Sequence, residues 1–344
     1  MKRILIVKVT SLGDIVETQP VVSDLRHAFP SAKIDWAADA AFADIVRWNP
    51  AVDRVLSAPL RKFKKARSWA DLKDIAASIG DLRAEKYDVI LDIHGVYKSA
   101  IIAFLAHGRW RYGYKNKDLG ELGAAFAYNK RFGPRPKTDA WRGMRVSVAD
   151  ALGYTFDAPP NFNLQLPPLA APLQLPEGGA PIAMLFHATS ADEKKWLIDR
   201  WAETGRSLTA RGYRIALPWS TEGERREGEQ IAALVPGVIV LPKLTMTECA
   251  HCIDASALVV GMDTGLVHLA YALGRPTVMI FTATSREHFG IGSSEHSVSV
   301  GDQHAPPDVG TVLDAIEGVL TGSMVPAAMM SRQGLCPDSS LKVT

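Results

Sequence analysis

Four short stretches of this chain gather residue types that could do chemistry. The first is Lys8-Val9-Thr10-Ser11-Leu12-Gly13-Asp14, which follows an apolar run of strand length. In an open α/β sheet, ligands bind beyond the carboxyl ends of the strands, and Gly13 permits a tight turn that would carry a carboxylate to that edge. Asp14 is therefore a candidate general base; the alternative is a helix N-cap, for which Asp is also favoured. With neither G-x-G-x-x-G nor G-x-x-x-x-G-K-[ST], the stretch is no dinucleotide fingerprint and no Walker loop. The second stretch, Gly261-Met262-Asp263-Thr264-Gly265-Leu266-Val267-His268, leads from a buried strand into a helix start. Amides of Thr264, Gly265 and Leu266 left unpaired by that helix would suit a pyrophosphate, although a plain capped helix looks the same. Asp263 beside them would repel phosphate, which points it toward sugar hydroxyls or a structural cap.

The third stretch is His187-Ala188-Thr189-Ser190-Ala191-Asp192-Glu193-Lys194-Lys195-Trp196. Two adjacent hydroxyls and a lysine pair fit an anionic diphosphate, because hydroxyls donate directionally while ammonium groups neutralise charge; a solvated helix start has the same composition. The fourth, Arg61-Lys62-Phe63-Lys64-Lys65-Ala66-Arg67, sets five cations together without an acid. Like charges repel, so phosphate groups or an anionic membrane surface explain the run better than solubility alone. The net charge of +2 over the whole chain gives no reason to expect nucleic-acid binding. Cys249 and Cys252 have C-x-x-C spacing, but no second ligand pair accompanies them, and TMTECAHCIDASA reads as an amphipathic helix carrying small apolar thiols. Neither a metal site nor a disulfide framework is expected.

The elements that must position these residues follow from the pattern. A length of 344 residues exceeds what one hydrophobic core serves well, so two domains and one cleft are expected. Short apolar runs alternate with amphipathic stretches throughout, the mark of βαβ units and parallel sheets. Strands are predicted at residues 3–9, 31–39, 51–56 and 87–93, with helices at 15–29 and 96–107. Between residues 157 and 179 the chain is proline-rich and almost free of charge, which suits a linker or an extended surface segment. The alternation then restarts, with strands at 181–186, 214–217, 238–241, 257–262 and 277–281 and helices at 194–211, 221–234, 247–256, 266–273 and 310–320. A second Rossmann-like sheet is the simplest reading. The domain limits are set at 1–160, a linker at 161–180, a second domain at 181–330, and a poorly ordered polar tail at 331–344. Lys8 and Asp14 interrupt the apolar start, so it is read as a strand and loop rather than a signal peptide, and no window reaches the ~18 apolar residues of a spanning helix. A cytoplasmic protein with at most peripheral membrane contact is expected.

Taken together, IVKVTSLGDIV, LDIHGVYKSA, FHATSADEKKW, LPW at 217–219, VLPK at 240–243 and MDTGLVHLAYALGRPTV resemble, in order and spacing, the ADP-heptose:lipopolysaccharide heptosyltransferase family. The resemblance covers most of the chain, and the RKFKK run is similar to the acceptor segment of the type I members rather than type II. It implies a GT-B architecture, two Rossmann-like domains facing a central cleft, and an inverting, metal-independent transfer of L-glycero-D-manno-heptose. The donor would be ADP-L-glycero-β-D-manno-heptose and the acceptor the inner Kdo of Kdo-lipid A at the cytoplasmic face of the inner membrane, with no cofactor. On that resemblance Asp14 deprotonates the acceptor hydroxyl, beside Ser11 and Gly13, while Arg61, Lys62, Lys64 and Lys65 meet acceptor carboxylates and phosphates. Lys194, Thr189 and Ser190 serve the donor diphosphate, Glu224 the ribose and Leu244 the adenine. Thr264, Gly265, Leu266 and His268 form the diphosphate loop, and Asp263 lies near the heptose. Two departures stand: Ser190 replaces the family's second threonine, and Glu222 competes with Glu224 for the ribose. A type II enzyme acting on a heptose acceptor, a noncatalytic binder of anionic glycolipid and a nicotinamide-dependent dehydrogenase are the competing readings.

Overall fold

After Arg3 the first strand, β1 (Arg3–Val7), is buried and apolar on both faces, as a central parallel strand must be when helices cover both sides of its sheet. The structure is a computed structural model that describes residues 1–58, 68–115, 121–134, 140–156, 159–173, 179–189 and 191–322. Arg61, Lys62, Lys64, Lys65, Ser190 and the tail expected at 331–344 lie outside the described residues. Beside β1 run β2 (Lys33–Asp39), β3 (Arg54–Ala58), β4 (Lys86–Asp92), β5 (His107–Gly113) and β6 (Lys130–Arg131), all parallel, in the order β3-β2-β1-β4-β5-β6. A second parallel sheet repeats this order: β7 (Ile182–Phe186), β8 (Arg214–Leu217), β9 (Ile239–Val240), β10 (Leu258–Met262), β11 (Thr277–Phe281) and β12 (Ser297–Gly301) align as β12-β11-β10-β7-β8-β9. In each sheet the strand order reverses at the first strand, so the switch points lie between β1 and β4 and between β7 and β10.

Two of the helices that carry candidate residues, those after β1 and β10, open at those switch points. Helix α1 (Leu12–Ala28) begins three residues earlier than its predicted start, because Ser11, not Asp14, is its N-cap. Helices α2 (Ala43–Arg47), α3 (Trp69–Arg83), α4 (Tyr97–Leu105) and α5 (Ala140–Leu152) complete the first half. Of these only α4 matches a predicted helix. In the second half α6 (Ile198–Ala210) starts four residues later than expected, because Asp192–Lys194 forms a separate 3-10 turn and Leu197 is the N-cap. The predicted strand at 51–56 is displaced to β3 by a turn in which Val52 N–H donates to Asn49 O at 3.1 Å. Helices α7 (Glu222–Leu234), α8 (Met246–Asp254), α9 (Gly265–Ala272), α10 (Arg286–Phe289) and α11 (Val309–Thr321) follow, the last closed by Gly322 at φ 66°.

The proline-rich segment does more than connect. Phe162 is buried, with its ring centroid 5.3 Å from that of Trp141 on α5 and 5.5 Å from that of Tyr271 on α9. Trp141 also donates its indole N–H to Gly290 O across 3.1 Å. This aromatic cluster buries apolar surface shared by both halves and so fixes their mutual position from behind the cleft. Among the described residues no helix is long and apolar enough to cross a membrane.

Candidate functional site

The carboxyl ends of both sheets face one cleft of ≈ 570 Å³. Twelve candidate residues line it: Ser11, Gly13 and Asp14 from the first half, and Thr189, Lys194, Glu224, Leu244, Asp263, Thr264, Gly265, Leu266 and His268 from the second.

On the first wall Asp14 is the third residue of α1. Its Oδ2 accepts from the Ser11 N–H at 2.8 Å and the Ser11 hydroxyl at 3.0 Å, while Oδ1 meets Lys8 Nζ at 2.6 Å. The expected alternative, Asp14 as N-cap, is thus corrected: Ser11 caps, and Asp14 closes the capping box from N3. Burial pushes the Asp14 carboxyl up, but the Lys8 ammonium and the Ser11 N–H outweigh it and hold the carboxyl well below the usual carboxylate range. His94 is fixed by accepting the Val9 N–H on Nδ1 at 3.3 Å. Its loop is organised by Asp92, which accepts from the His94 and Gly95 N–H groups at 3.1 Å each and from Tyr128 Oη at 2.7 Å. Burial pushes the Asp92 carboxyl up to about 6.

The opposite wall is assembled from three strand ends. Lys194 Nζ donates to Asp263 Oδ2 at 2.9 Å, and Thr284 Oγ1 donates to the same oxygen at 2.7 Å. The Lys194 backbone carbonyl accepts from Thr282 Oγ1 at 2.8 Å, which fixes the lysine's turn to the end of β11. Burial would raise the Asp263 carboxyl, yet His268, Thr284 and Lys194 together hold it well below its ordinary range. Thr264 caps α9, its hydroxyl accepting from the Leu266 N–H at 3.3 Å. One of the three amides expected to be free is therefore engaged by the cap. Among the described residues the Thr189 hydroxyl, buried beside the cleft, has no hydrogen-bond partner.

Around the far end of the cleft the wall turns apolar. Trp219 donates its indole N–H to Leu241 O at 2.6 Å, which holds the ring beside Leu244, Met246 and Cys249. Glu224 sits at N3 of α7, with Oε2 accepting from the Ser220 N–H at 2.7 Å, and lines the cleft. Glu222 does not line it; its carboxylate is paired with Arg225. The Cys249 and Cys252 thiols are buried and pushed up to about 12 and about 11 by that burial, in keeping with small apolar side chains. His187 is buried against Glu224 O at 3.0 Å and belongs to the packing of the wall.

The two walls touch where α1 and α9 begin. A Cβ on Gly265 would fall 2.5 Å from Leu12 Cγ and 2.7 Å from the Gly13 nitrogen, so only glycine allows this approach. His268 spans the seam: Nε2 lies 3.8 Å from Asp263 Oδ1 and Nδ1 3.7 Å from Glu17 Oε1. Glu17, Trp219, Ser220 and Thr284 are cleft residues to which the sequence reading assigned no role. Ser220 and Thr284 follow the ends of β8 and β11, and position after a parallel strand was the signal available for them. Glu17 had none, since it lies inside a helix.

Comparison with known proteins agrees with this geometry. Residues 75–312 match the model of glycosyltransferase family 9 (heptosyltransferase). Lipopolysaccharide heptosyltransferase 1 of Escherichia coli (strain K12) is 33% identical over 284 residues, spanning 82% of this chain and 88% of that one. The enzyme of that name from Pseudomonas aeruginosa is 30% identical over 291 residues, spanning 82% of this chain and 79% of its own. Among solved structures, E. coli heptosyltransferase WaaC with ADP superposes with a TM-score of 0.80 at 30% identity, covering 92% of this chain and 99% of that one. The same enzyme with ADP-2-deoxy-2-fluoro heptose gives 0.76 at 29% identity, with the same coverage. Two parallel sheets facing a cleft are the GT-B arrangement, and the chain belongs to glycosyltransferase family 9, the heptosyltransferases.

Proposed function

We propose that the protein transfers L-glycero-D-manno-heptose from ADP-heptose to the inner Kdo of Kdo-lipid A, with inversion at the anomeric carbon. Residues 1–160 act as the acceptor domain, 161–180 as the connection and 181–330 as the donor domain. The observation that carries this reading is the confrontation, across one cleft, of the Asp14 carboxylate with the Lys194 ammonium and the amino end of α9. In the transfer the bond from the anomeric carbon to the ADP oxygen breaks, the acceptor oxygen bonds to that carbon, and the acceptor proton passes to Asp14. The Asp14 carboxyl lies below the usual range, so it is a weak base. That suits a transition state with oxocarbenium character, in which the hydroxyl becomes strongly acidic as it attacks and the proton leaves late. Lys8 and Ser11 occupy only part of the four acceptor positions of the carboxylate, which leaves one for the incoming hydroxyl.

On the donor side an ammonium has three N–H donors, so Lys194 can keep Asp263 and still take a phosphate oxygen. The Thr189 hydroxyl and the α9 terminus add donors for the departing ADP, which gains charge as the bond breaks. Glu224 would accept from ribose hydroxyls, with the adenine against Leu244 and Trp219. The basic run at 61–67 is assigned to the anionic acceptor, and the enzyme to the cytoplasmic face of the inner membrane as a peripheral protein. Incubation with ADP-heptose and either Kdo-lipid A or its heptose-terminated product, followed by mass spectrometry, tests this. A single heptose added to the Kdo acceptor is expected; addition only to the heptose-terminated acceptor would assign the type II reaction instead.

A further inference from the structure

Large apolar side chains left in water concentrate on one side of the first half. Helix α4 exposes Tyr97, Ile101 and Phe104 at i, i+4 and i+7, which makes one stripe, while Ser99, Ala100, Ile102 and Ala103 bury the opposite side. The stripe continues onto the 3-10 turn at Ala124–Ala127: the Phe104 and Phe126 ring centroids are 5.7 Å apart, and Phe126 is itself exposed. Beside α4 lies α3, which buries only Leu82 of its fifteen residues and leaves Trp69 87% exposed. Between the two helices is a groove of ≈ 220 Å³ whose described lining is apolar except for Ser78 and Lys98. Helix α3 also carries Asp71, Asp74 and Asp81 against Lys73 and Arg83, so its own charge does not favour an anionic surface.

An apolar stripe alone would suit a protein or a lipid surface, and the charges around it decide. Helix α4 carries Lys98 and no acid, and the carboxylate that touches it is Glu121, which accepts the Tyr97 N–H at 2.7 Å. Arg111 Nε donates to Ala127 O and Arg131 Nη2 to Ala125 O, each at 3.0 Å, so two guanidinium groups are pinned to the turn that bears Phe126. Arg109 shares the face of β5 with Arg111 by the period of two. Aromatic and aliphatic side chains rimmed by cations are the composition of a segment lying in the headgroup layer of an anionic bilayer, where apolar burial and charge attraction add. We propose that the outer face of α4 and the 124–127 turn is the surface through which the protein docks on an anionic lipid bilayer. It rests on the peripheral-membrane reading above for which membrane is meant, and on this face alone for the contact.

Sedimentation of the full chain with vesicles of phosphatidylcholine, with and without phosphatidylglycerol, tests the proposal. Binding to the anionic vesicles, weakened by salt and reduced about tenfold or more in an Ile101→Asp/Phe104→Asp variant, is the expected result. The variant should keep the wild-type affinity for ADP and the wild-type rate with a deacylated, water-soluble acceptor. If it fails to fold, Phe126→Ser carries the same expectation. Absence of wild-type binding to anionic vesicles, or undiminished binding by the variants, overturns the proposal. So does a variant that dissociates a dimer while still binding vesicles, because the face is then a contact between copies of the chain. Loss of transfer to the soluble acceptor by the wild type would instead count against the proposed reaction and leave the docking result standing.

Discussion

Each half of the molecule sets a lysine against an aspartate at the mouth of the cleft, and the two pairs face it in opposite senses. In the first half Lys8 is 2% exposed beneath an Asp14 side chain that is 35% exposed, so the carboxylate is presented and the ammonium supports it. In the second half Lys194 is 24% exposed above an Asp263 that is 13% exposed, so the ammonium is presented and the carboxylate lies behind. Similar components on similar sheets thus offer opposite charges to the same space. Which member is outermost follows from the element that carries it. Lys8 directly follows a central strand and Asp14 opens a helix, whereas Asp263 directly follows a central strand and Lys194 stands on a 3-10 turn of the long β7–α6 connection. The strand-end residue is the buried one in both pairs.

Apart from the loss of Asp14 itself, the largest expected effect is on the donor side. Lys194→Ala removes the presented cation while Asp263 stays ionised, and turnover should fall about 10²–10³-fold, the cost of losing one donor to a developing anion. Steady-state rates with saturating acceptor check this, and a loss under threefold would mean that the α9 terminus suffices. Next is Lys8→Met, which sharpens the contrast between the supported and the supporting charge. As the proposed base Asp14 must be ionised, and Lys8 keeps its carboxyl below the usual range, so no acid limb is expected in the wild-type rate profile above the carboxylate range. Without Lys8 burial acts with less opposition, and the limb should move up by about one pH unit or more, with activity lost as pH falls through it. A profile unchanged from the wild type would remove Lys8 from the mechanism.

The smallest effect separates two glycines at the seam. Gly265→Ala brings a methyl against Leu12 and the Gly13 backbone, which must push the helix termini apart and should cost about tenfold in rate. Gly13→Ala meets His268 Cδ2 at 3.2 Å, a contact that the imidazole can relieve by a small shift, and should stay within about threefold. The ratio of the two losses, measured under one condition, decides whether the approach is limited by backbone or by side chain.

Much of this was legible in sequence because parallel strands buried on both faces leave continuous apolar runs, and both sheets were found from β1, β2, β4, β7, β8, β10 and β11. The runs that failed were those without that signature. β5 reads HGRWRYG and is half exposed, α3 buries one residue, and α5 begins in a stretch where a tryptophan and charged residues alternate with small ones. Twelve candidate residues converge because motifs at strand ends converge, whatever the loops between them do. Partnerships were not legible: that Lys8 backs Asp14, that His268 reaches Glu17 across the seam and that Phe162 locks the halves are all contacts distant in sequence or through space. The cap at Ser11 was missed because Asp at N3 and Asp at N-cap look alike until the first helical residue is known.

Asp14 is the presented carboxylate and the proposed destination of the acceptor proton, and Asp14→Asn tests this most directly. The amide keeps the size of the side chain and an oxygen for the Ser11 N–H but cannot take a proton from the acceptor. Heptose transfer from ADP-heptose to Kdo-lipid A, measured alongside calorimetric ADP affinity in one preparation, should fall about 10²–10⁴-fold while ADP binding stays within a few-fold. Transfer at a rate near that of the wild type would contradict the account, because the proton would then have another destination.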